Sequence, residues 1–259
     1  MLTLLSRLFN VRPNEWARLL FLYGMGIVFL IGLTWGETIA DALFLSRLGV
    51  ENLPLLFVLE AVVTIIALAV FSAFADRIRD DVLLIAILLL GALSVLLSYA
   101  LARGGQVGLG FPMLYLASRV IRDVFNVQFW TYVNGFYDMR SAKRIVPVIA
   151  TAARVAGAIA GLTMPVVTGL FSQTLDVSFA WIGTLLLMAI LVWAMPRLLR
   201  ERQQARSTAS PAPKGGGIGA YIDNIREGYG FVAQSPFLRW MAFSTLLLIV
   251  LTTLITFQG

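Results

Sequence analysis

Leu53–Ala75 reads LPLLFVLEAVVTIIALAVFSAFA. The charged hexapeptide Asp76-Arg77-Ile78-Arg79-Asp80-Asp81 follows, and then Val82–Ala102, VLLIAILLLGALSVLLSYALA. These three segments decide the fold. A helix needs about 20 apolar residues to cross a hydrocarbon core of roughly 30 Å, and both runs meet that length. Lipid offers backbone N–H and C=O groups no partner, so a spanning run of this kind must be helical. The charged segment between them is only long enough to reverse the chain.

Working outward, the same pattern predicts further spans at Leu19–Leu45, Phe111–Tyr137, Ile145–Phe171 and Phe179–Met195. A seventh is predicted at Phe237–Phe257. The expected fold class is therefore an all-α, polytopic transmembrane helix bundle. Composition agrees: 59% of the residues are hydrophobic, 13% are charged, and mean hydropathy is +0.86. Soluble domains carry about 25% charged residues.

Basic residues set an expected orientation. With the N-terminus in the cytoplasm, Arg7, Arg12, Arg18, Arg77, Arg79, Arg140, Lys143, Arg144 and the basic residues from Arg197 to Arg239 all lie inside. Only Arg47 and Arg103 fall in outer loops, as the positive-inside rule requires. The expectation is a multi-pass protein of a bacterial inner membrane, with the first span as an uncleaved signal anchor. The net charge of +6 is explained by this topology and not by nucleic acid.

Residues 1–202 are expected to form a six-helix bundle and 203–220 a flexible linker rich in Pro, Gly, Ser and Ala. Residues 221–259 are read as an amphipathic surface helix leading into a further span. Gly215–Gly219 has no Lys-Ser or Lys-Thr after it, which argues against a phosphate loop. Six spans followed by a linker and a fresh span suggest the first half of a longer protein.

Cys 0 and His 0 remove thiolate chemistry, imidazole bases and the usual zinc sites. No catalytic residue, metal site or cofactor is expected, and no enzyme.

Function is then sought in the charges placed within spans: Glu37, Asp41, Glu60, Arg119, Arg122, Asp123 and Arg154. A charge at a helix centre costs at least about 2.5–3.5 kcal/mol, so each should face a cavity or a partner. Tyr115, Arg119, Arg122, Asn126, Trp130 and Asn134 recur every three or four residues, a polar-aromatic stripe on one helix face. Arg119 and Asp123, four residues apart, are expected to pair along it, leaving Arg122 as the free guanidinium.

A free guanidinium suits bidentate capture of a carboxylate or phosphate. The other reading is that both arginines are structural, paired with Asp123 and with acids on the first two spans. Arg154, among Ala150, Ala153, Gly157, Ala158 and Gly161, is expected on a packed face or narrow passage. It either joins an anion site or pairs with Asp123. Glu37 and Asp41 form an acidic pair that either takes up a proton or pairs with Arg47 or an arginine of the fourth span as an outer gate, and Glu60 is either interfacial or functional. Gly32-x-x-x-Gly36 predicts close packing within the molecule. Trp16, Trp35, Trp181 and Trp193 are expected to anchor at the membrane interfaces.

The arrangement resembles the major facilitator superfamily over the whole chain. Asp76-Arg77 sits in the loop after the second span, similar to that family's G-x-x-x-D-R-x-G-R-R, with Ser72 in place of the first Gly. Arg226-Glu227-Gly228-Tyr229-Gly230-Phe231 through Arg239 is similar to the segment entering the family's seventh span. Gly157 and Gly161 fit an antiporter G-x-x-x-G-P, with Leu162 in place of Pro. Phe129-Trp130, Asn134 and Ala142-Lys143-Arg144 resemble the nucleotide (ATP/ADP) translocase branch, whose functional Lys and acid are Ala40 and Ser118 here.

The resemblance implies a six-helix half of a twelve-span transporter with its substrate near the midplane. The implied partners are a small solute, with an anion such as a nucleotide or phosphorylated metabolite as the specific expectation, and a proton or counter-anion as coupling ion. The alternatives are an exporter of amphipathic compounds and a transport-incompetent membrane anchor or sensor.

Overall fold

The computed structural model describes residues 12, 15–75, 77–198, 235–241, 243, 244, 247, 248 and 251. Asp76, the linker at 203–220 and the amphipathic segment read from Tyr221 to Val232 lie outside them. The chain divides into two units, 1–207 and 208–259. In the second, the described residues from 236 onward are helical. They start at Ser235, whose hydroxyl accepts from the Leu238 N–H at 3.5 Å, and the rest of the expected seventh span lies outside the described residues.

The first unit is all-helical, with no strand among the described residues. Its helices are α1 (Trp16–Leu48), α2 (Leu53–Ala75), α3 (Asp80–Arg103), α4 (Val107–Asn134), α5 (Met139–Ala150), α6 (Ala152–Leu170) and α7 (Ser178–Leu198). Among the described residues, five segments are long and apolar enough to cross a membrane: Trp16–Leu48, Val50–Ala75, Asp80–Arg103, Met139–Leu170 and Thr174–Leu198. The protein is therefore built as a membrane-embedded bundle.

The stretch read as a fourth span forms α4, whose 28 residues measure about 42 Å. It falls outside the apolar group because Arg119, Arg122 and Asp123 occupy its middle. The fifth expected span is not one unbroken helix. Pro147 cannot donate a backbone hydrogen bond, and the Thr151 hydroxyl donates back to the Val148 carbonyl at 2.7 Å, so the chain tightens between α5 and α6.

Local chemistry sets the helix ends. Gly49, with φ of 80°, closes α1 by donating to the Leu45 carbonyl at 3.2 Å. Asp138 caps α5, accepting from the Ser141 N–H at 3.2 Å, and hydrogen bonding with the Ser141 side chain and then its backbone holds its carboxyl below the ordinary Asp range. The cap is present at neutral pH and is lost only as pH falls through that lowered value.

α1 is the central post. It packs against α4, α6 and α7, while α3 lies between α4 and α7. Phe29 stacks on Phe125 with ring centroids 3.3 Å apart, and Phe125 stacks in turn on Phe129 at 5.3 Å. Gly32 and Gly36 form the contact with α7. A Cβ on Gly32 would collide with Thr184, and one on Gly36 with the Trp181 ring. The packing expected of the Gly32/Gly36 pair is thus intramolecular. Trp181, expected at an interface, is instead fully buried against this glycine face.

Both ends of the bundle are stitched by polar contacts. At one, Glu15 accepts from Ser141 Oγ at 3.2 Å and from Arg144 Nη2 at 3.3 Å, while Arg18 donates to the Phe136 carbonyl at 2.5 Å. At the other, Asp176 accepts from the Tyr99 hydroxyl at 2.9 Å and from Arg103 at 3.2 Å.

Gly36→Ala is expected to destabilise the bundle by about 1–3 kcal/mol through overpacking against Trp181. Gly157→Ala, where an added Cβ meets nothing within 4 Å, should be neutral or slightly stabilising. Unfolding midpoints of the two variants in detergent check the contrast.

Candidate functional site

Periodicity places the acids of α1 on one face: Glu37 and Asp41 are one turn apart and point towards α4. On α4, Arg119, Arg122 and Asp123 meet them. Arg119 Nη2 donates to both oxygens of Asp41, at 2.9 and 3.1 Å, and its Nη1 lies 3.4 Å from Glu37 Oε1. Arg122 Nη1 donates to the same Glu37 oxygen at 2.7 Å, and its Nε reaches Asp123 Oδ1 at 3.5 Å. Glu37 is therefore the shared acceptor of both guanidinium groups.

Of the two readings of the sequence, the structure shows the paired one, in which the arginines meet Asp123 and the acids of the first span, but with the partners distributed differently. Arg119 does not pair with Asp123; it reaches across to α1. Arg122 is not a free guanidinium either, since it holds both Glu37 and Asp123. The reason is directional: side chains on a helix lean towards its N-terminus, which carries the Arg119 guanidinium away from Asp123, one turn further on. A two-acid interhelical site also satisfies more of the guanidinium donors than one acid on the same helix.

The cluster grades from closed to open. The Arg119 side chain is 16% exposed and Glu37 20%, whereas Arg122, Asp123 and Asp41 are 38%, 39% and 40% exposed. Arg119 also lies 4.7 Å over the ring of Tyr115, a cation–π contact. Tyr115 itself is buried against Phe44 and Leu56. It backs the arginine and does not face an opening. With three carboxylates to two guanidiniums, the cluster carries a formal charge of −1 when all five groups are ionised.

Other expected site residues lie apart. Asn126 and Asn134 are exposed on α4, and Trp130 is half-buried, edge-on to Phe129 at 5.7 Å. Glu60, half-buried on α2, makes no ion pair among the described residues. Arg154 is exposed on α6 and likewise has no ion-pair partner there, so the expected link to Asp123 is not formed. Its helix face is also not packed: Gly157 and Gly161 are exposed, and a Cβ on either would meet nothing within 4 Å. Arg77 is exposed in the α2–α3 loop.

Ala40 and Ser118 are fully buried, and Ser118 Oγ donates to the Tyr115 carbonyl at 2.7 Å. Sequence reasoning passed over Glu15, which joins α1 to α5. An acid lying next to the first span, on a side crowded with arginines, was the available signal. No metal-holding group of acids exists among the described residues.

Comparison with known proteins adds no relative. No family model matches the chain. No curated protein matches it, and no solved structure does either.

Arg119→Gln is expected to destabilise the bundle by about 3 kcal/mol, because it leaves Asp41 and part of Glu37 charged without a partner. Arg122→Gln should cost less, since Arg122 is more exposed and Glu37 keeps Arg119. Asp41→Asn added to Arg119→Gln should restore part of the loss. Denaturant unfolding of the four proteins in one detergent measures it.

Proposed function

We propose that the protein is a secondary transporter of a small anionic solute, with a nucleotide or phosphorylated metabolite as the specific candidate class. The observation that carries this reading is the α1–α4 ion cluster, set within two membrane-length helices and at the middle of α4, with Arg122 half open. Ionisable groups at such depth mark ion and substrate pathways.

The chemistry is one of exchange. Both guanidiniums are already occupied by carboxylates, so an incoming anion competes with Glu37 and Asp123 for the Arg122 fork. Once Arg122 is taken, Glu37 retains Arg119 at 3.4 Å. Asp123 is then left without its guanidinium, a state that favours its moving away from the α1–α4 contact. Solute binding would thereby be linked to a helix movement. The exposed Arg154 supplies a second cation for the same class of solute.

A second reading is favoured by the completeness of the pairing. If the carboxylates never yield, the cluster is a structural lock and the bundle a membrane anchor or sensor.

The test is uptake and counterflow of labelled ATP, ADP and phosphate by the full chain in proteoliposomes. Arg122→Ala should lower transport about tenfold or more, the effect of losing one charge-assisted contact, with folding retained. Arg154→Ala should lower it as well. No anion movement by well-folded wild type would reject the anionic-transporter reading in favour of the structural lock.

A further inference from the structure

α2 is the exception in the bundle. Its outer end is docked, with Leu56 buried against Phe44 and Tyr115. Beyond that it leans on α4 and meets α3 at few points, and Leu56 is its only buried residue. Between the three helices lies a cleft of about 940 Å³.

The walls are apolar along its length. Leu59, Phe71 and Phe74 come from α2, Ile87 and Leu90 from α3, and Val120 from α4. From Leu55 to Phe74 the cleft follows α2 for roughly 28 Å, close to the thickness of the hydrocarbon core. Water has too few polar partners there to fill it.

One end of the cleft is polar. The turn after Phe74 is closed by the Arg77 N–H donating to the Phe74 carbonyl at 3.0 Å, which fixes Arg77 just beyond the cleft lining. Arg77 is exposed and has no acid paired with it among the described residues, whereas Arg79 is held by Asp81 at 2.8 Å. A long apolar slot ending at an unpaired guanidinium, at the level where the helices leave the hydrocarbon, is complementary to one amphipathic molecule. That molecule has an apolar chain and an anionic phosphate.

We propose that the α2–α3–α4 cleft is a phospholipid site. One acyl chain lies between Phe71, Phe74 and Ile87, and the phosphate is held by Arg77. The site rests on these helices crossing a bilayer and is independent of any transported solute.

The experiment places the full chain in nanodiscs with a phospholipid carrying a photoreactive group in mid-chain, and maps cross-links by peptide mass spectrometry. Cross-links should concentrate on Phe71, Phe74 and Ile87 relative to Leu89, Leu96 and Ile190, which face outward elsewhere. Ala86→Trp, which fills the cleft, should remove that excess. A diacylglycerol with the same photoreactive chain should label the cleft about fivefold less, the effect of one lost basic contact at a membrane surface. Arg77→Gln lies outside the packed helices, and it should bring the phospholipid down to the diacylglycerol level even if Ala86→Trp fails to fold.

Even labelling of all outward-facing residues would overturn the proposal. So would an unchanged pattern in Arg77→Gln, or equal labelling of the cleft by phospholipid and diacylglycerol.

Discussion

The bundle depends on one electrostatic constraint: a charge inside hydrocarbon must find an opposite charge or leave. The sequence sets two acids in α1 and two arginines with an acid in α4. These helices have no choice but to bring those faces together. Once Arg119 spans Glu37 and Asp41, the rotation of α4 about its axis is fixed. Phe125 then falls on Phe29, and Gln128 reaches the Asp80 carbonyl at 3.0 Å, at the start of α3. Hydrophobic burial could not do this alone, since lipid tails are as apolar as the leucines they would replace.

The other contacts of α1 follow from small residues. Gly32 and Gly36 remove the side chains that would hold α7 away, and the fully buried Trp181 fills the space they leave. On the side facing α6, Trp35 Nε1 donates to the Ala160 carbonyl at 3.3 Å. Close approach on one face and ion pairing on another make α1 the element from which the bundle is built. α2 has neither device, which is why only Leu56, near its N-terminal end, is buried, while the rest of the helix leans on α4.

The spans were legible because length and apolarity are local properties. Leu53–Ala75 was read to the residue, and the loops of Arg77 and Arg103 emerged where charge interrupted the runs. The choice among partners for Arg119 was not legible. Four-residue spacing made Asp123 a candidate, but spacing on one helix cannot compete with a second helix whose rotation is unknown. For the same reason the Gly157 and Gly161 face was read as packed or lining a narrow passage. Small residues permit contact, yet whether a neighbour arrives is decided by the rest of the fold. Trp181 shows the converse: a tryptophan near a span end suits the interface, unless a glycine pair opposite offers it a larger burial.

Within the cluster, exposure separates two kinds of role. Arg119 is closed in by Tyr115 and two carboxylates, so exchanging its partners would require α1 and α4 to part. Arg122 meets its acids with one edge while the rest of the guanidinium is accessible, and Asp123 and Asp41 are similarly open. A group of five charges built this way has a fixed half and an exchangeable half. The shared Glu37 oxygen joins them: whatever draws Arg122 away makes Glu37 lean more heavily on Arg119. An event at the open edge is thereby transmitted to the contact that sets how α1 and α4 pack. A cluster closed on every side would only lock α1 to α4, whereas this one leaves one of its two guanidiniums half open.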